Sequence, residues 1–317
     1  HKVNRDDLIF DIGSNDGSLL SCFKDLGYQN VLGIDPASEI VKQANENGIK
    51  TIDGYLNIES SKKIFEKYGK PKIITANNVF AHVPDLRDFA LGIKNILSNK
   101  GLFIFEVSYL VDVLNKLTFD TIYHEHMSYH SLKPLIKFTN AFNMEIINVE
   151  RVSIQGGSLI VTAQIKGGPN KVSSSVKKLI SLENKKKLDD IKTLTKFSKK
   201  ISSLRNKLKE KFIKFKKNKK TIAGYGAARS GTTLITQMGL GKLIDYIVDD
   251  STQKQGRYTP GDHIIVKPTN TLYKKKPDYV LILAWIHAKN IIKNNKKYLD
   301  QGGQFITCFP EIKYVKK

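Results

Sequence analysis

The sequence predicts an α/β protein of two doubly wound domains, each a mostly parallel sheet with helices on both faces, joined by a helical connector. Three observations carry that reading. Residues 7–165 alternate short apolar runs with amphipathic segments, residues 170–219 hold one long apolar stripe at helical spacing, and residues 220–317 restart the alternation. Strands that alternate with helices build βαβ units and therefore parallel sheets. At roughly 150 residues per domain, a chain of 317 residues holds about two.

In the first region the apolar runs are 7–12, 30–35, 49–52, 72–77 and 101–107, with helical patterns at 19–26, 38–46, 60–68 and 86–97 between them. Gly27, Gly48 and Gly69 follow three of these helices, where a C-terminal cap belongs. A further helix is expected at 131–142. The runs 145–152 and 158–165 then follow with no helix between them, which predicts an antiparallel pair. In the connector, Phe197, Ile201, Leu204, Leu208, Phe212 and Phe215 recur every three or four residues, one face of a long helix. The last region offers strands at 221–225, 244–248, 279–284 and 304–308. The expected division is 1–168, 169–219 and 220–317.

Composition narrows the class. The chain is 40% hydrophobic and 26% charged, as in ordinary globular proteins. No apolar run approaches the roughly 20 residues that span a bilayer, and no signal peptide is visible, so no membrane association is expected. Two isolated cysteines, Cys22 and Cys308, make neither a disulfide framework nor a CxxC metal site. That fits a reducing, cytoplasmic setting. The net charge of +22 attracts anions such as nucleic acid or a phosphorylated metabolite. Lysine is spread along the chain, densest over 185–220. No aromatic RNA-stacking motif accompanies it, so no nucleic-acid partner is expected.

The first strand runs into Asp11-Ile12-Gly13-Ser14-Asn15-Asp16-Gly17, and the next ends in Asp35. A glycine-rich turn between strand and helix lets a ligand approach the backbone, and an acid on the following strand end accepts hydrogen bonds from ribose hydroxyls. Dinucleotides need G-x-G-x-x-G to seat a pyrophosphate on the helix N-terminus. Here the spacing is D-x-G-x-N-x-G, and carboxylates at 11 and 16 repel a pyrophosphate. They suit the ammonium of S-adenosylmethionine. The expected donor-binding set is Asp11, Gly13, Ser14, Asn15, Gly17, Asp35, Asn77 and Asn78.

Three of the seven histidines lie in Tyr123-His124-Glu125-His126-Met127-Ser128-Tyr129-His130. In an extended segment Tyr123, Glu125 and Tyr129 face one way, His124 and His126 the other. Two histidines two apart chelate metals, but no further ligand cluster supports that, and no metal is expected. Histidine beside a carboxylate or phenol suits general-base chemistry. His82, in Asn77-Asn78-Val79-Phe80-Ala81-His82-Val83-Pro84, follows the fourth strand, at the sheet edge where open α/β ligand sites form.

The stretches 11–17, 77–84 and 123–131, with Gly156-Gly157-Ser158-Leu159, together resemble the nucleotide-sugar C-methyltransferases over nearly the whole chain. Best described among these are the C-3 methyltransferases of thymidine-diphosphate-linked 4-keto-deoxysugars. The resemblance implies a class I methyltransferase sheet, five parallel strands plus an antiparallel pair, followed by a second Rossmann-like domain. It implies S-adenosylmethionine as donor, and His126 as the base that removes the proton next to the sugar ketone. Tyr123, Glu125 and His82 assist and hold the enolate. The resemblance further implies that the C-terminal domain helps bind the nucleotide diphosphate, with Gly224, Tyr225, Gly226, Arg229, Ser230 and Thr232 at the matching turn and Asp249 and Arg257 as expected contacts beyond it. Read alone, the Gly224 turn is a weak dinucleotide fingerprint, and a nicotinamide-dependent oxidoreductase is one alternative. O- or N-methylation of another phosphorylated metabolite is the other. The chain departs from relatives at Ser230-Gly231-Thr232-Thr233 and at Gln155, which bears on sugar and base identity. Relatives carry an N-terminal zinc-binding module, the only place zinc is expected; this chain lacks it and starts without Met, which suggests truncation. The sequence leaves the oligomeric state open, although the resemblance accommodates a monomer.

Overall fold

The computed structural model describes residues 3–317. The chain divides into two compact units, one of residues up to 111 with 127–187, the other of 112–126 with 188–317.

The first unit runs β1 (Ile9–Ile12), α1 (Ser18–Asp25), β2 (Val31–Asp35), α2 (Ser38–Glu46), β3 (Thr51–Asp53), α3 (Ile58–Tyr68), β4 (Ile73–Asn77), α4 (Leu86–Ile96) and β5 (Leu102–Ser108). The chain leaves it within α5 (Leu110–Lys116) and returns for α6 (Leu132–Ala141), β6 (Met144–Val152), β7 (Ser158–Ile165) and α7 (Ser174–Lys186). The sheet order is β3-β2-β1-β4-β5-β7-β6. Strands β1 to β5 pair parallel, and β7 is antiparallel to both β5 and β6. The expected antiparallel pair is therefore present, with the last strand inserted between its predecessor and the parallel set.

Local chemistry explains the elements. All four residues of β1 are buried, because helices cover both faces of a parallel sheet. Helix α4 buries Phe89, Ala90, Ile93 and Ile96 along one face, and its N-cap Asp85 accepts the Arg87 and Asp88 amides. Gly27, Gly48 and Gly69 all take positive φ at helix ends, as the spacing predicts. Helix α7 is tied to this unit by one carboxylate. Fully buried Glu183 accepts the Leu132 and Lys133 amides (2.6 and 3.1 Å) and the Tyr109 hydroxyl (3.1 Å). It thereby satisfies the orphan donors at the start of α6.

The second unit contains a 3-10 turn (Phe119–Thr121), then α8 (Ile191–Lys217), β8 (Ile222–Tyr225), α9 (Arg229–Met238), β9 (Tyr246–Asp249), β10 (Val266–Pro268), α10 (Thr271–Lys275), β11 (Tyr279–Ile282), α11 (Ala288–Asn294), α12 (Lys296–Asp300), β12 (Gln304–Thr307) and β13 (Lys313–Val315). Its order is β10-β9-β8-β11-β12-β13, parallel except for β13. The stripe on α8 packs as expected. Leu204, Leu208 and Phe212 are buried with Ile222, Ile247 and Leu281 of the sheet, and Phe197, Ile201 and Phe215 flank them. The sequence analysis did not find β10 and β13, three-residue edge strands without an apolar alternation.

The region expected as a connector is divided: α7 packs on β6 in the first unit, and α8 packs on α9 in the second. Among the described residues no helix is long and apolar enough to cross a membrane.

Candidate active site

At the C-terminal edge of the first sheet lies a cavity of about 430 Å³, within the range of small-molecule sites. The turn after β1 forms its floor. Gly13 takes φ +69, and a Cβ there would stand 2.7 Å from Val79 Cγ2, so only glycine lets the turn pass beneath Val79. The Gly13 amide donates to the Ile34 carbonyl at 2.8 Å. Asp35 closes the rim. Its Oδ2 accepts the Asn15 amide and its Oδ1 the Ala37 amide, both at 2.9 Å. Each carboxylate oxygen accepts two hydrogen bonds, so each retains one acceptor position for a ligand hydroxyl.

Of the expected donor-binding residues, Gly13, Asn15, Asp35, Asn77 and Asn78 line this cavity, and so does His82. Asn15 and Asn78 have φ of 52° and 58°, a region asparagine tolerates better than most residues. Asp11, Ser14 and Gly17 are not among the lining residues. Gly17 is the left-handed N-cap of α1, where a Cβ would strike Ile49 at 2.7 Å. Ser14 Oγ is buried without a hydrogen-bond partner. Asp11 lies under the turn and accepts the Thr75 hydroxyl at 2.6 Å. Burial pushes its carboxyl up to about 7, with the Asp35 charge adding to the rise and the Thr75 hydrogen bond opposing it.

The opposite wall, formed by Tyr55, Leu56, Asp88 and Phe89 among others, carries no signal in the sequence. These come from the loop after β3 and from α4, and only the sheet order brings them to the β1 turn. A turn that excludes any Cβ, an acid with open acceptor positions and an apolar wall fit an adenosine with a methionyl tail.

The second unit contains the segment rich in histidine, and here the structure corrects the extended reading. The segment turns, and the His126 amide donates to the Tyr123 carbonyl at 2.9 Å. Tyr123 and His126, expected on opposite faces, lie with ring centroids 4.3 Å apart. His126 Nδ1 is 2.8 Å from the Thr121 carbonyl, and Nε2 is 3.2 Å from the Tyr123 hydroxyl. A carbonyl only accepts, so Nδ1 carries the proton. In the neutral ring Nε2 therefore holds the lone pair, and the phenol donates to it. Burial raises the Tyr123 phenol above its ordinary range and Glu125 adds to this, while Arg229 opposes it. Glu125 forms an ion pair with Arg229 at the start of α9. His124 is exposed and 3.9 Å from Glu125. Among the described residues no group of three or more His, Cys, Asp or Glu could hold a metal.

His130 differs from its neighbours. It is buried in the first unit against Phe80, its Nε2 3.0 Å from the Ser128 hydroxyl. Burial lowers its pKa to about 4, so it stays neutral and serves packing.

A second cavity, of about 370 Å³, lies beside the turn after β8. Tyr225, Gly226 and Asp249 line it, joined by Asp250, Lys254, His287 and Asn290, which the sequence analysis did not single out. Asp249 accepts the Ala227 and Ser251 amides (2.7 and 2.8 Å) and pairs with Lys254 at 3.4 Å. Gly224 is buried in β8 between Leu283 and Ile247. Arg229 and Arg257 are exposed, Ser230 and Thr232 half-buried, and none of these four lines the cavity.

Two family models cover the chain in succession. Residues 4–149 match a methyltransferase domain, and residues 153–310 match a C-methyltransferase C-terminal domain. The C-methyltransferase NovU of Streptomyces niveus is 33% identical over 310 residues, spanning 98% of this chain and 74% of that protein. Among solved structures, an S-adenosylmethionine-dependent methyltransferase from Mesorhizobium loti aligns at 13% identity and TM-score 0.40. The alignment covers 51% of this chain and 93% of that one. Magnesium protoporphyrin IX methyltransferase from Synechocystis, solved with bound S-adenosylhomocysteine, aligns at 17% identity and TM-score 0.38 over 50% and 75% of the two chains. The fold, the donor cavity and the family matches define an S-adenosylmethionine-dependent methyltransferase. More narrowly, the chain belongs to the family of the C-methyltransferase NovU, in keeping with the C-methyltransferase C-terminal domain matched over residues 153–310.

Proposed function

We propose that this enzyme methylates the carbon next to the ketone of a nucleotide-linked keto-deoxysugar, with His126 as general base. One observation carries the mechanism: the Thr121 carbonyl holds Nδ1–H, leaving the Nε2 lone pair as the basic site of the ring. A positioned base of this kind contributes about 10²–10⁴-fold. Tyr123 covers the lone pair in the resting site and yields it to the carbon acid. Nε2 takes the proton, and the electron pair moves into the adjacent carbonyl to give an enolate. Stabilising the oxygen as it gains charge is then a large part of the catalysis. Tyr123 is a suitable donor to the enolate, and Glu125 and Arg229 tune that phenol. His82, on the donor cavity, is assigned an assisting role. When bound, S-adenosylmethionine would supply an electrophilic methyl: the enolate carbon would take it as the S–CH3 bond breaks, the bonding pair staying on sulfur to leave S-adenosylhomocysteine.

The nucleotide diphosphate is assigned to the second unit's cavity. Its support is the Gly226 turn opening α9 and the ammonium of Lys254 at the rim. Helix N-termini and cations both favour phosphate.

His126→Asn tests the base. Turnover should fall about 10²–10⁴-fold while calorimetry finds the affinity for S-adenosylhomocysteine unchanged. Without donor, the wild-type enzyme should exchange the hydrogen next to the ketone with solvent deuterium, and the variant should not. Exchange retained in the variant removes His126 from the role.

A further inference from the structure

Asp120 has no solvent exposure. Its Oδ2 accepts the Trp285 indole N–H at 2.6 Å, while Oδ1 is buried with no hydrogen-bond partner. Burial pushes the carboxyl up to about 6; the Trp285 hydrogen bond opposes the rise most, and the backbone at 120 and 121 and the Ser230 hydroxyl oppose it further, so the group is charged above that pH. Phe119, beside it, is anchored in the core of the second unit against Phe309, and Phe309 also meets the edge of Trp285. The 3-10 turn that holds Asp120 packs on α9. The next residue, Thr121, presents the carbonyl that receives His126 Nδ1–H and is held in turn by its own hydroxyl on the Thr118 carbonyl at 2.8 Å.

We propose that Asp120 is the positioning residue of the His126 base. Gripped by Trp285, it fixes the Phe119–Thr121 turn and hence the Thr121 carbonyl that sets the imidazole tautomer. Its charge stabilises the imidazolium formed when Nε2 takes the proton. The arrangement resembles a carboxylate that orients a catalytic histidine, except that one backbone carbonyl stands between the two groups. This inference rests on the assignment of His126 as base. The ionisable groups around the pair are Tyr123, His124 and Glu125 on the same segment, Arg229 from α9, and Cys308 after β12, whose thiol the Asp120 charge raises further beyond the effect of burial.

Asp120→Asn keeps the shape and removes the charge. In the full chain, kcat/KM should fall about 10–100-fold, the scale of losing a partner that orients a site ligand. The acidic limb of its pH profile should move to lower pH, and KM for the donor should stay unchanged. Nitrogen-15 spectra of His126 should change from a single Nδ1–H tautomer to a mixture. Trp285→Phe, which deletes the indole donor and keeps an aromatic ring beside Phe309, should produce the same changes at smaller size and guards against misfolding of the first variant. If both variants keep the pH limb and the tautomer, the proposal is overturned, and a fall in thermal stability alone counts as the same result. The tautomer is read without turnover, so Asp120 is tested even if His126→Asn keeps deuterium exchange and the base assignment fails.

Discussion

The two units use the same backbone wiring around cavities of different chemistry. In the first, the amide after the turn glycine's strand, Gly13 N–H, bonds the Ile34 carbonyl at 2.8 Å, and Asp35 gathers the amides of Asn15 and Ala37. In the second, Gly226 N–H bonds the Val248 carbonyl at 2.8 Å, and Asp249 gathers the amides of Ala227 and Ser251. Both glycines have positive φ and no room for a Cβ, with Val79 at 2.7 Å in one case and Ala284 at 2.5 Å in the other. The cavity walls separate them. Leu56, Val79, Val83 and Phe89 face the first, whereas Asp250, Lys254, His287, Asn290 and Asn294 face the second. An aspartate beside apolar walls favours an adenosine. In the second, Lys254 offsets the charge of Asp249 and the Tyr225 and Thr269 hydroxyls hold Asp250, a polar wall on which the proposed nucleotide site rests. The turn thus supplies the geometry, and the wall decides the ligand.

The largest expected effect tests that division of labour. Asp35→Ala should weaken S-adenosylhomocysteine binding about 100-fold, near 2.8 kcal/mol at 1.4 kcal/mol per decade. Asp249→Ala should leave it within about twofold. Calorimetric titration of both variants decides, and comparable losses in the two would erase the distinction.

A smaller effect concerns Asp11. Its folded pKa is raised from 3.8 to about 7, so the folded state binds this proton more tightly than the unfolded one. The resulting stability is fully present below about pH 4 and is lost as pH rises through about 7. Asp11→Asn should therefore raise the thermal midpoint by several degrees at pH 8, with the gain shrinking toward pH 4. Unfolding followed by circular dichroism across that range measures it, and a gain that does not vary with pH would contradict the burial effect. The smallest expected change is at Lys254. Lys254→Met should weaken binding of thymidine diphosphate by about fivefold, the order of one partly exposed charge-assisted contact, and leave S-adenosylhomocysteine binding unaltered. Unchanged diphosphate affinity would remove the lysine from the rim's function.

Much of this was legible in the chain itself. The parallel strands other than β10 appear within a few residues of their expected limits, since continuous apolar runs and helical stripes report local burial. The glycine turn after β1 was legible for the same reason: Gly13, Asn15 and Asp35 lie at consecutive strand ends and line one cavity, and their spacing is itself the geometry. The rest depended on pairs far apart in sequence. Trp285 and Asp120 are 165 positions apart, Arg229 and Glu125 are 104, and no periodicity links them. The extended reading of 123–126 failed because a turn, held by the Phe119–Thr121 segment in the core, overrides the alternation that an isolated strand would show.

The sequence by itself therefore determined two α/β units, the glycine turns with their acids, and the presence of a histidine cluster, because each is a short-range pattern. The folded arrangement alone sets which nitrogen of His126 carries its proton, which wall faces each acid, and that Trp285 grips Asp120 next to the residue whose carbonyl holds the imidazole. Those depend on where buried polar groups find partners, and a partner exists only once distant strands and loops have been brought to the same place.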